Sequence, residues 1–251
     1  MEKRFLYHAQ ATGVSGQVTL PFNELIEVQA ASALPETGGY STSRVDHFNY
    51  RQIVSFHSAT TQATGSYSAK ERAYNTLVTA TVEKLNILEQ VTADLMVAHL
   101  TSKHPESGGQ PSIIPLGSYF VNLRIAGCPV DVHLDSDIFS SLDTYDKIFA
   151  RLAEDKDWRR ELLEGQDEFT SLAPHGPLLC SLAREVRPHC RELKPKGNRI
   201  FVPHFGTIYL AEFLIQPYAR SLTMVRVELG CPVTGQVTGA HVSGNGQGYP
   251  P

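Results

Sequence analysis

The sequence predicts a mainly β protein: an antiparallel β-sandwich or flattened barrel carrying a small α-helical insertion. Three observations predict it. Through the first 135 residues, β-branched and aromatic residues recur in short runs punctuated by Gly, Pro, Ser and Asn. Helical spacing of apolar residues appears only after Asp135, and strand character resumes near Arg199. A scaffold that stops at an insertion and continues beyond it is expected to be one sandwich built from both parts.

The elements follow in order. Strands are expected at 4–12, 17–20, 25–30, 52–58, 76–85, 92–102, 118–125 and 130–134. The run Leu77-Val-Thr-Ala-Thr-Val-Glu-Lys-Leu alternates, with Leu77, Thr79, Thr81 and Glu83 on one face and Val78, Ala80, Val82 and Lys84 on the other, the second largely apolar. Between 140 and 164, Leu142, Tyr145, Ile148, Phe149 and Leu152 recur at spacings of three and four, and Gly165 stops the pattern. Asp143 or Thr144 would cap a first helix there, and Asp155 or Asp157 a second, because short oxygen-bearing side chains satisfy orphan N–H groups. A further helical turn or two is expected around 178–186, ended by Pro188. Strands return at 199–203, 206–215, 221–229 and 235–242, and the glycine-rich tail from Gly244 is expected to lack regular structure, with Tyr249 as an anchor. The organisation reads as a β-rich first part at 1–136, an α-helical insertion at 137–190, a β-rich second part at 191–243 and an irregular tail at 244–251.

Composition narrows the partners. With 251 residues, 41% of them hydrophobic, the chain can bury a substantial core, and one large all-β domain or two small ones both fit. The formal charge is −4 and no basic run stands out, so nucleic acid is not expected as a partner. The apolar run Phe5-Leu6-Tyr7 is too short for a signal peptide and no stretch reaches membrane-spanning length, which points to a cytoplasmic or non-classically exported protein.

The motif Gly-Cys-Pro-Val occurs twice, at 127–130 and 230–233, each time after an apolar run. The reading is one turn used twice: Gly for tight backbone, Pro for a corner, and Cys as a small buried hydrophobe. The cysteines at 128, 180, 190 and 231 are expected as reduced thiols, with a Cys128–Cys231 disulfide as the alternative if the two turns adjoin. Their spacing, ten residues at the tightest, does not suit a four-thiolate zinc site.

Two parts of the chain, 75–135 and 195–245, carry a resemblance. Leu88-Glu-Gln-Val-Thr-Ala-Asp-Leu, then Tyr119-Phe-Val-Asn-Leu-Arg-Ile-Ala-Gly-Cys-Pro-Val, then Asn198-Arg-Ile-Phe-Val-Pro-His-Phe-Gly-Thr-Ile-Tyr-Leu-Ala-Glu resemble the bacterial choice-of-anchor P type proteins. The resemblance implies a β-rich bacterial module, surface-displayed or secreted, with no assigned catalytic activity. His204 and Ala211 stand where the family pattern has Gly and Asn.

Candidate chemistry is sparse. In Asp131-Val-His-Leu-Asp-Ser-Asp137, a strand would project Asp131, His133 and Asp135 from one face, a set able to offer oxygen and imidazole ligands to a divalent metal ion, with His204 completing the shell. The simpler reading of the same face is the solvated side of an edge strand, with Val130, Val132 and Leu134 turned inward. His204, Tyr209 and Glu212 offer acid–base groups, but strand alternation places Tyr209 and Glu212 on opposite faces. No nucleophile elbow, phosphate loop, dinucleotide fingerprint, zinc-protease helix or EF-hand is present. The expected function is therefore a non-catalytic β-rich structural or interaction protein. It needs no cofactor, and it meets a protein partner or a second copy of itself as a homo-oligomer. The alternative is a metal-dependent enzyme or metal-binding protein that uses the Asp131-His133-Asp135 strand and takes a divalent metal ion as cofactor.

Overall fold

The computed structural model describes residues 5–163 and 176–248. It is 64% strand and 10% helical, and its two antiparallel sheets pack face to face without closing into a barrel. The elements are β1 (Phe5–Leu20), β2 (Glu24–Ala33), β3 (Gly39–Tyr50), β4 (Val54–Ser68), β5 (Ala73–Ile87), β6 (Val91–Pro105), β7 (Ser112–Ile114), β8 (Tyr119–Val121), β9 (Arg124–Ile125) and β10 (Cys128–Leu134). Three helices follow: α1 (Ser136–Ser141), α2 (Tyr145–Glu154) and α3 (Lys156–Leu162). The chain then returns to strand in β11 (Leu178–Ser181), β12 (Ala183–Pro188), β13 (Arg199–Val202), β14 (Gly206–Ile215), β15 (Ala219–Leu229) and β16 (Thr234–Gly248).

Among the described residues, one sheet runs β11-β14-β15-β16-β1-β2, with β13 also on β14. The other runs β12-β10-β9-β6-β5-β4-β3, with β7 and β8 on β6. Chain from before and after the helices contributes to both sheets, β12 being the member of the nine-stranded sheet that follows them. The inner faces meet closely: a Cβ added to Gly13 of β1 would lie 2.8 Å from Ala59 Cβ of β4, and one added to Gly239 of β16 would lie 2.8 Å from Met96 Cε of β6. The core between the sheets is aliphatic, including Val14, Ala59, Val82, Met96, Leu210, Phe213, Val227 and Val242.

Four expectations are corrected. The segment at 178–186 forms β11 and β12, because Leu178 and Cys180 face the core and the backbone is claimed by β14 and β10. Among the described residues of the insertion, helix is therefore confined to the stretch from Ser136 to Leu162, and Leu178–Ser181 and Ala183–Pro188 belong to the sheets. The tail from Gly244 to Gly248 is strand: β16 pairs with β1 to the end, setting Gly248, Gly246 and Gly244 opposite Phe5, Tyr7 and Ala9. Cross-strand pairing to a large aromatic outweighs the poor strand propensity of glycine. Tyr249 lies outside the described residues. Strand β3, absent from the expected elements, sits at a sheet edge where a polar, mostly exposed sequence suffices.

The cysteine reading is corrected too. Cys128 is disulfide-bonded to Cys190, with Cα atoms 6.0 Å apart, while Cys180 is buried and free and Cys231 is exposed and free. The two Gly-Cys-Pro-Val turns differ accordingly. The first is a β9–β10 hairpin with Ala126 at φ 49° and Gly127 at φ 75°, and the second links β15 to β16. Spacing along the chain carried no information on which turn would lie beside Cys190, since that proximity is set by the pairing of β10 with β12.

Of the expected caps, Thr144 and Asp155 are the ones used. The N–H of Lys147 donates to Thr144 Oγ1 at 3.4 Å, and that of Trp158 donates to Asp155 Oδ1 at 2.9 Å. The helices pack on the sandwich through Phe139, Tyr145, Ile148, Leu152 and Leu162, all buried. Arg220 of β15, itself buried, pins this packing. It donates to the carbonyl of Ile113, to that of Leu142 at 3.5 Å and to that of Asp143 at 2.8 Å.

Candidate functional site

Strand β10 is the second member of its sheet, and α1 follows directly from its end, so the chain folds back over the outer end of β12. Between α1, α3 and β12 lies a cleft of ≈ 560 Å³. Its floor is Ile138, Phe139, Leu162 and Leu182; its rim includes His133, Asp135, Glu161, Arg184 and Glu185; Trp158 stands half-buried at its side. A cleft of this size, apolar below and polar around its mouth, is the usual form of a binding site.

The structure distributes the four nominated metal residues unevenly. His133 and Asp135 both reach the cleft. Asp135 is occupied by Arg184, whose Nη1 donates to Oδ2 at 3.2 Å. Asp131 lies further along β10, exposed, in contact with His189 at 2.7 Å between Oδ2 and Nε2. His204 lies in the turn between β13 and β14, in the other sheet, and does not line the cleft. Among the described residues, no group of three or more His, Cys, Asp or Glu side chains is arranged to hold a metal ion. The even spacing along β10 therefore made a row on one face, with Val130, Val132 and Leu134 turned toward the core, rather than a convergent shell.

Comparison with known families decides the membership. The family described as "Domain of unknown function (DUF8256)" matches over residues 5–156 and again over 143–216, together most of the chain. The chain belongs to the DUF8256 family. The whole cleft falls inside the matched span of this DUF8256 chain. No curated protein and no solved structure matches it.

A second group in the DUF8256 sandwich had been assigned to separate faces by simple alternation and is not separate. Ala211 sits at φ 50°, a left-handed residue at which side-chain parity changes along β14 while its register with β15 is kept. Tyr209 and Glu212 consequently both meet Arg226. Its guanidinium carbon lies 3.8 Å from the Tyr209 ring centroid, and Nε and Nη2 donate to the Glu212 carboxylate at 2.6 and 2.8 Å. Burial pulls the Arg226 guanidinium down, but its bonds to Glu212 and Glu228 outweigh this and hold it above the ordinary arginine range. Glu212 is buried and paired on both oxygens, so this set braces β14 against β15 instead of offering a free acid or base.

The residues behind the choice-of-anchor resemblance are likewise structural. Asn122 is at φ 51° and its amide donates to Asp94 Oδ2 at 2.7 Å, while Lys84, itself at φ 52°, donates through Nζ to Asp94 Oδ1 at 2.7 Å. Asn122 and Lys84 together hold the Asp94 carboxyl below the usual carboxylate range.

Proposed function

We propose that this DUF8256 protein is a non-catalytic interaction protein and that the cleft between the helices and β12 is its partner-binding surface. One observation carries this reading. Two carboxylates of the rim are already paired, Asp135 with Arg184 across the mouth and Glu185 with Arg187 beside it, around an apolar floor of Phe139, Leu162 and Leu182. That is the form of an anchor pocket, in which a buried apolar side chain of a partner supplies most of the affinity and a polar rim excludes water. The likeness to surface-displayed modules without assigned catalysis, and a disulfide of the kind that persists in oxidising surroundings, support a place outside the reducing cytoplasm.

Trp158 is the single tryptophan of the chain and stands at the cleft, so its emission reports occupancy. Titration with N-acetyl-leucinamide should shift that emission saturably, at about millimolar concentration for so small a probe, while N-acetyl-glycinamide should not. Equal responses to both probes, or none, would defeat the reading.

The metal alternative rests on His133 and Asp135 sharing the cleft. Elemental analysis of the purified protein tests it: one firmly held divalent ion per chain would favour that alternative over the one proposed.

A further inference from the structure

The nine-stranded sheet has two free ends. Among the described residues, β3 pairs as a strand only with β4 and β12 only with β10. Every step from β12 to β3 is antiparallel, and the path has six steps, so the two edge strands run in the same direction. A second copy placed beside the first without inversion would therefore set its β12 parallel to β3.

Side chains at the two edges are matched for that arrangement. On β3, Arg44-Val45-Asp46 places Arg44 and Asp46 on the outer face, bridged to each other at 2.9 Å, with Val45 packed on the core. On β12, Glu185-Val186-Arg187 repeats the pattern with the signs exchanged. Glu185 and Arg187 pair with each other, lie opposite His133 and Asp131 on the outer face, and leave Val186 packed on the core. Setting Val45 against Val186 of the next copy brings Arg44 opposite Glu185 and Asp46 opposite Arg187. Opposite charges directly across a strand pair attract, and like charges there repel.

We propose that these two edges pair between copies of this chain, so that molecules add head to tail through the nine-stranded sheet. The contact joins different surfaces of the two copies, so it builds an open row or a ring and not an isolated two-fold dimer. The contact shares β12, with Glu185, with the wall of the cleft, whereas Arg44 and Asp46 on the other copy lie at the opposite end of the sheet.

Sedimentation velocity of the full chain over a concentration series tests this. The wild type should show a weight-average mass that rises with concentration in low salt and falls back toward the monomer in high salt, because the matched charges are exposed. Arg44→Glu with Asp46→Arg should weaken association by at least about tenfold, since each strand contact becomes repulsive. Adding Glu185→Arg and Arg187→Glu in the same chain should restore it. Mixing the chain reversed only at β3 with a chain reversed only at β12 should restore a mixed contact as well, which keeps the test valid if the fourfold variant folds poorly. A wild type that stays monomeric throughout, a β3 reversal without effect, or reversals that never rescue one another would overturn the proposal.

Discussion

Single residues in this chain are most informative where the backbone is left-handed. His204 is at φ 61° and Ala211 at φ 50°, and these are the two positions where the resembled family has Gly and Asn, the residues that tolerate such φ best. His204 is exposed and sits two residues before Gly206, whose φ of 138° and whose missing Cβ, 2.0 Å from Glu228 O if it were present, leave no alternative to glycine. Replacing His204 with Gly should therefore raise stability by about 0.5–1 kcal/mol, measured as a rise in denaturation midpoint; a fall would mean that the histidine makes a contact worth more than the relief. These positions show why alternation fails at Tyr209 and Glu212: an alanine gives no warning in sequence that its backbone will be left-handed and change the parity of the strand.

Buried histidines set the acid limit of stability at the same scale. Burial pushes the His104 imidazole down to about 4, and burial also lowers His99 and His241. In each the folded state binds the proton less readily than the unfolded chain. Stability is fully present above the unfolded value of about 6.5 and is lost as pH falls toward the folded value. For His104 that loss amounts to up to about 3 kcal/mol, complete near pH 4. Denaturant midpoints should fall steadily below about pH 6.5, and His104→Gln should flatten part of that slope. A midpoint independent of pH across this interval would contradict the burial of these rings.

At the scale of elements, α2 and α3 were legible because their apolar spacing and capping oxygens are local signals, and Thr144 and Asp155 cap as such residues should. Strands β11, β12 and the last turn of β16 were not, because long-range pairing decides them and nothing nearby in sequence encodes the partner. The disulfide is of that second kind. It closes a loop between positions 62 residues apart, so reductant, or Cys190→Ser, should lower stability by about 4 kcal/mol through the entropy regained by the unfolded chain. A melting temperature unmoved by reductant would show that Cys128 and Cys190 stay apart.

Arg220 gives the helices their attachment. Its burial lowers the guanidinium to about 10, still a cation at neutral pH, and it serves the carbonyl of Ile113 in β7 together with those of Leu142 and Asp143 at the end of α1. Arg220→Met keeps the apolar stem but removes the donor to the Ile113 and Leu142 carbonyls, leaving Asp143 O only the Ile113 N–H, and should cost about 3 kcal/mol or more in thermal unfolding. A loss no greater than that of an exposed Arg→Met change would show that the helices hold without it.

For the molecule as a whole, the sandwich was readable from alternation and from the resumption of strands after the helices, since one core must be shared by both parts. The cleft was only half readable. His133 and Asp135 were named as candidates, but its floor joins Phe139, Leu162 and Leu182 from three separate segments, and no local pattern joins them. Whether that cleft receives an apolar group from a partner is the central claim. Amide chemical-shift mapping of the labelled protein with N-acetyl-phenylalaninamide tests it most directly. The account predicts saturable shifts concentrated at Phe139, Trp158, Leu162, Leu182 and Arg184, with the outer faces of both sheets unmoved. Shifts scattered over the surface, or confined to a region away from these residues, would contradict it.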